Sequence, residues 1–284
     1  FRDLLSHQSG LSYGFTADSP VERLYQTMVQ PTGFDKPLAD WSTTLAGVPL
    51  LFTPGSAWNY SVATDMCGYL VEVISGKKFD AFLLERILNP LGMVDTAFYV
   101  PDDRVDRFAA CYAPGGGGDG GDGRRFVLRD DPETSRYRKP PVLLSGGGGM
   151  VSTASDYYVF CQMLLDGGTA NGHRFLGRKT IELMATNHLP GGVSLAEHAL
   201  PGRWSEATFD GIGFGLGFSV VLEPSTSQIV GSVGQYAWGG AASTAFWIDP
   251  AEEVVVVFMT QLLPSDQYPI RRELQVLVNA AIDD

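Results

Sequence analysis

The sequence predicts an α+β fold, with a mainly helical region over residues 1–205 and an antiparallel sheet plus a C-terminal helix over 206–284. Apolar residues recur at helical spacing through the first two thirds of the chain, and from about residue 211 the period changes to two. No βαβ alternation is present, which argues against a doubly wound parallel sheet.

Taken in order, residues 1–14 read as a helix end followed by a turn at Ser9-Gly10. Val21, Leu24, Tyr25 and Met28 fall at helical spacing, and Ser19-Pro20 is a fitting start for their helix. A short helix is expected over 36–47. Pro54-Gly55 makes a turn that presents Tyr60, and a helix follows at once. Met66, Leu70, Val73 and Ile74 mark its buried face, and Gly76 stops it. Phe79, Phe82, Leu83, Ile87 and Leu88 form the next helix, which ends before Pro90. Residues 113–141 hold a glycine-rich run and read as a flexible surface insertion. Thr153, with Asp156 three residues on, reads as the cap of a helix that carries Tyr157, Phe160, Cys161 and Leu164. Another helix is expected over about 177–186.

The sheet is drawn from four strands. Ile212 to Val220 alternates as one nine-residue strand, Gln228 to Val233 is a second, and Ser243 to Asp249 a third. Val254 to Met259 is a fourth, expected to be buried on both faces. Pro250 to Glu253 links the last two as a hairpin. A helix over about 266–282 is expected to cover the sheet.

Composition narrows the function classes. The chain has 284 residues, 44% hydrophobic and 18% charged, with a net charge of −12. No Lys/Arg run occurs, so neither a nucleic acid nor an anionic membrane surface is an expected partner. No apolar run reaches the length of a transmembrane helix. Cys67, Cys111 and Cys161 lie far apart without CxxC or zinc spacing, which fits a reducing compartment or buried inert thiols better than a disulfide framework, and a cytoplasmic location is favoured. His7, His173, His188 and His198 show no metal-ligand spacing and read as polar surface, so no metal and no cofactor are assigned. The chain opens mid-pattern at Phe1, and further residues are expected to precede it.

Several stretches carry chemistry or imitate it. A Tyr on a turn before a fixed helix can carry a proton, but its free pKa near 10 needs cationic neighbours to serve at neutral pH. An aromatic anchor at a helix entry is the commoner use of such a turn. Gly10-Leu11-Ser12-Tyr13-Gly14 matches G-x-S-x-G, yet a helix end precedes it where that motif needs a strand. Ser75-Gly76-Lys77-Lys78 matches S-x-x-K, but it falls in a helix-ending turn where lysines face the helix dipole. In Trp238-Gly239-Gly240-Ala241, two glycines after a Trp let backbone approach a ligand, and the Ala241 N–H can stabilise an oxyanion. A β-turn with an aromatic plug fits the same residues.

The order of five blocks resembles the serine β-lactamase and penicillin-binding superfamily, and most of all its class C-related esterases, the family VIII carboxylesterases. The blocks are Arg2 to Leu11, Pro54 to Ser61, Asn89 to Met93, Gly146 to Asp156, and Trp238 to Gly240. The resemblance implies a β-lactamase/transpeptidase-like fold and an acyl-enzyme mechanism acting on a small-molecule ester. It implies that Tyr60 is the loop proton carrier, with a pKa lowered by a lysine nearby. It also implies that Trp238, Gly239 and Gly240 line the substrate strand and that Ala241 donates the oxyanion N–H. Val62 stands where that family places a loop Asn, and Trp238 where it places a cation. A neutral aromatic there favours an ester over a β-lactam carboxylate. The Ser/Lys nucleophile block is expected upstream of Phe1. The alternatives are a β-lactamase or D-Ala-D-Ala carboxypeptidase, and a non-catalytic module of the same fold. Substrate, acyl length and oligomeric state stay open.

Overall fold

The computed structural model describes residues 1–15, 18–32, 35–115, 126–202, 206 and 208–283. Helix α1 (Pro20–Leu24) starts where Ser19 accepts the Glu22 N–H, and a wider π turn, Tyr25–Val29, continues it. Helix α2 (Leu38–Ala46) buries Leu38, Trp41 and Leu45, one stripe at i, i+3 and i+7. Helix α3 (Ala63–Ser75) ends at Gly76, which takes the left-handed φ of 68°.

The buried face of α3 differs from the sequence expectation. Val73 and Ile74 are 60% and 71% exposed, whereas Ala63, Asp65 and Gly68 are buried. The small first half of α3 faces the core, where Met66 and Tyr69 pack beside Leu38 and Trp41. The Asp65 carboxylate accepts from Ser145 Oγ at 2.5 Å and from the Gly147 N–H at 3.2 Å. This ties the four-glycine loop, 146–149, to the start of α3. A side chain on Gly147 would come within 2.9 Å of Asp65 Oδ2 and 3.3 Å of Tyr13 Oη, so the close approach requires glycine.

Helix α4 (Phe79–Leu83) runs on through a π turn to Leu91. The expected structureless insertion is flanked by a hairpin: β1 (Cys111–Pro114) pairs antiparallel with β2 (Phe126–Asp130). The centre of its glycine run, 116–125, lies outside the described residues. Helix α5 (Ala154–Leu165) is capped by Thr153, which accepts the Asp156 N–H. The Asp156 carboxylate does not return the bond. It accepts from the Asp95 N–H and from Thr96 Oγ1, both at 2.8 Å. Helix α6 spans Arg178–Met184.

The sheet has five strands among the described residues, β3 (Ile212–Phe214), β4 (Ser219–Val221), β5 (Tyr236–Gly239), β6 (Ala245–Asp249) and β7 (Val254–Phe258). They form an antiparallel meander in chain order. The nine-residue alternation is therefore a hairpin, closed where the Gly215 N–H donates to Phe218 O at 2.7 Å. Gln228 to Val233 is not a strand. Gln228 takes a left-handed φ of 55° after a helical turn, and the Ser232 N–H donates to the buried Asp249 carboxylate. All of β6 is buried, but β7 is only half-buried, contrary to the two-sided burial expected. Cys161, Met163 and Leu164 of α5 share a core with Tyr236, Phe246 and Ile248 of the sheet. Helix α7 (Ile270–Asn279) has no fully buried residue, but Ile270, Leu274 and Val278 form a half-buried stripe along one face. It reaches the strand ends through Arg271. No helix among the described residues is long and apolar enough to cross a membrane.

His7 is not surface, as expected from sequence, but 4% exposed, at a left-handed φ of 55°. Its ring meets Trp58, Tyr60 and Phe214 edge-on, and its Nδ1 lies 3.2 Å from Ser61 Oγ. Burial pushes its pKa down from 6.5 to about 3. The unfolded chain binds a proton in that window and the folded chain does not. Stability is therefore full above pH 6.5 and falls as pH drops toward 3, with a slope of up to about 1.4 kcal/mol per pH unit from this one group. Urea melts between about pH 7 and 5, above the carboxylate range, should show this slope. His7→Gln should leave only a smaller remainder from His198, which burial also lowers; an unchanged slope would refute the assignment.

Candidate active site

Tyr60 is held by its neighbours in sequence. Asn59 and Ser61 are both buried. Asn59 Nδ2 donates to Leu11 O at 2.8 Å, and the Asn59 N–H donates to His7 O at 2.9 Å. Trp58, fully buried, exchanges backbone hydrogen bonds with His198 and Leu200. The turn from Pro54 is thus stitched to residues 7–12 on one side and to 198–200 on the other. The Tyr60 ring is left half-buried, with its hydroxyl facing the sheet.

Across from it stands the end of β5. The Trp238 and Tyr60 rings lie 5.2 Å apart. Tyr13 is 5.1 Å from Tyr60, ring to ring. Phe15 stacks on Tyr13 at 5.3 Å. The chain turns after Gly239, with the Gly240 N–H donating to Thr244 O at 3.0 Å. Ala241 is exposed, and its N–H has no acceptor among the described residues. Tyr60 and Trp238 are therefore brought together from distant parts of the chain, with the exposed Ala241 N–H three residues beyond Trp238.

The two glycines have a different occupant from the ligand expected. A Cβ on Gly239 would fall 2.4 Å from Arg271 Cζ, and one on Gly240 would fall 2.4 Å from Thr244 Oγ1. The space beside the strand end is filled by the protein's own Arg271 and Thr244.

Electrostatics around the phenol run against the expected lowering. Burial raises the Tyr60 pKa, and the Glu206 and Asp65 carboxylates add to the rise. The Tyr13 and Trp238 donors oppose it, because they stabilise a phenolate. Tyr13 itself is driven far above 10, chiefly by burial and then by the Tyr60 charge. As it stands, the hydroxyl keeps its proton at neutral pH.

The serines of the two imitating motifs are engaged elsewhere. Ser12 is buried, and its hydroxyl donates to Glu22 at 2.6 Å. Ser75 Oγ donates to Val71 O at 2.6 Å, and Lys77 pairs with Glu85 on the surface. No group of three His, Cys, Asp or Glu that could hold a metal occurs among the described residues. Sequence reasoning missed Tyr13, Glu206 and Arg271. Tyr13 sat inside the G-x-S-x-G match, where attention fell on the serine.

Comparison with known proteins places the fold in a family. Protein Rv1367c of Mycobacterium tuberculosis is 36% identical over 265 residues, covering 92% of this chain and 62% of its own length. Esterase EstB of Burkholderia gladioli is 30% identical over 265 residues, covering 90% of this chain and 63% of its own. The chain thus spans less than two thirds of either relative. Among solved structures, EstCE1, a hydrolase with promiscuous acyltransferase activity, superposes with a TM-score of 0.75 at 25% identity. That match covers 98% of this chain and 70% of EstCE1. The Beta-lactamase family profile matches residues 1–280, and on that span the chain belongs to the β-lactamase family.

Proposed function

We propose that the protein is a serine hydrolase that cleaves small carboxylic esters through an acyl-enzyme. The observation that carries this reading is the contact of the Tyr60 and Trp238 rings, 5.2 Å apart, which puts a phenol beside a strand that leads into the exposed Ala241 N–H. In this reading a serine carried outside residues 1–284, with its lysine, attacks the ester carbonyl. The Ser Oγ–carbon bond forms while the serine proton passes to the Lys/Tyr60 pair. The oxyanion rests between the serine N–H and the Ala241 N–H. The pair then protonates the departing alkoxide, and water repeats the attack to release the acid. The lysine would supply the positive charge that the Tyr60 surroundings lack.

The preference for an uncharged ester rests on two residues. Trp238 offers an indole where a carboxylate-binding cation would stand. Arg271, which reaches the strand end, is spent on Glu206 and on the carbonyls of Gly240 and Thr244. Relatives described as an esterase and as a hydrolase with acyltransferase activity support the same class.

In the full-length protein, Tyr60→Phe should lower turnover of a chromogenic ester by about 100-fold or more. A chromogenic cephalosporin assayed alongside should be turned over far more slowly by the wild type. Residues 1–284 alone should give neither turnover nor a burst; a burst from them would place the nucleophile within this chain and overturn the reading.

Tyr13→Phe removes one donor from the Tyr60 oxygen and so raises its pKa. The acid limb of the kcat/KM–pH profile should move to higher pH. A limb that stays in place would separate Tyr13 from the proton carrier.

A further inference from the structure

We propose that Arg271 is the residue that positions and polarises the oxyanion-binding N–H of Ala241. This rests on the assignment of Ala241 made above. Arg271 reaches from the first turn of α7 to the strand end. Its Nη2 donates to Gly240 O at 2.7 Å and to Thr244 O at 2.9 Å, and its Nε donates to Thr244 O at 3.2 Å. The guanidinium therefore grips both ends of the turn that contains Ala241.

One of those carbonyls belongs to the peptide that matters. Gly240 C=O and Ala241 N–H are two ends of a single trans peptide, so they point in opposite directions. Gly240 O accepts from Arg271 and also from the Ser243 N–H at 3.0 Å. With the carbonyl held on the protein side, the N–H is aimed outward, where Ala241 is exposed. A cationic donor on the carbonyl also draws charge through the amide and strengthens the N–H as a donor. The far side of the turn is fixed separately. Ser243, at a left-handed φ of 67°, donates through Oγ to Leu262 O at 2.6 Å.

Gly239 leaves room for this grip. A methyl group there would overlap the guanidinium at 2.4 Å and push it from its place.

Glu206 sets how much charge the peptide feels. Its side chain is 2% exposed, and it accepts from Arg271 Nη1 at 2.5 Å and from Ser265 Oγ at 3.2 Å. Its carboxylate offsets part of the guanidinium charge.

The test is the carbonyl stretch of an acyl-enzyme trapped from a slow ester, read by difference infrared spectroscopy on the folded full-length protein. In the wild type the stretch should lie below that of the same ester in water. Arg271→Gln should move it back toward the water value and lower kcat about 10-fold with KM little changed, less than the ~100-fold or more lost with an oxyanion donor itself. Gly239→Ala, which displaces the guanidinium, should move it the same way. Glu206→Gln should move it in the opposite direction, because the guanidinium charge is no longer offset. Arg271→Lys, which keeps the charge and loses the fork, should fall between wild type and Arg271→Gln, and it carries the test with Glu206→Gln if Arg271→Gln does not fold. A purely structural arginine would not give shifts of opposite sign. A wild-type stretch equal to that in water would overturn the oxyanion assignment itself. A lowered wild-type stretch that none of these variants moves would overturn the role of Arg271 alone.

Discussion

The contact of the Trp238 and Tyr60 rings, 5.2 Å apart, joins the helical part of the chain to the sheet at the site. Tyr60 arrives on a turn stitched to residues 7–12, and Trp238 arrives on β5, paired with Phe246 of β6. Neither ring is fully buried. The contact also has a chemical consequence. An indole N–H can stabilise negative charge on a phenol oxygen but cannot accept its proton, and Trp238 is among the groups that lower the Tyr60 pKa.

The charge balance of the site is unusual for a proton carrier. Burial and two carboxylates, Asp65 and Glu206, hold Tyr60 in its neutral form. Asp65 is needed where it is, because it anchors the four-glycine loop through Ser145 and Gly147. Glu206 is needed beside Arg271. The structural work of both acids thus opposes ionisation of the phenol, and Tyr13 and Trp238 offset that only in part. A lysine brought close to Tyr60 would reverse the balance, which is why the reading assigns the proton to a pair and not to the tyrosine alone.

Much of the fold was legible because its signals are local. Ser19-Pro20, Thr153 and Gly76 mark helix ends through their own backbone chemistry, and the Asp249–Val254 link shows in its turn residues. The errors arose where the deciding contact is distant. Val73 and Ile74 have the spacing of a buried stripe, but Gly68 lets Phe79 and Leu38 pack on the other half of α3. The alternation from Ile212 to Val220 is the same whether the chain runs straight or folds back at Gly215. His7 looked like surface because nothing in its neighbourhood announces the Trp58, Tyr60 and Phe214 rings that enclose it. At the site, Tyr60 and Trp238–Ala241 were reached through the order of motifs. Arg271 carries no motif, and its role depends on a packing contact with Gly239 that only coordinates reveal.

The account stands on Tyr60 and the Ala241 N–H serving one reacting carbonyl. The most direct measurement is a crystal structure of the full-length protein carrying a phosphonate bound covalently to its nucleophilic serine. The account predicts one phosphonyl oxygen at about 2.7–3.1 Å from the Ala241 nitrogen, with the Tyr60 hydroxyl within hydrogen-bonding reach of the serine oxygen. A phosphonate seated away from Ala241, or a serine oxygen out of reach of Tyr60, would contradict it.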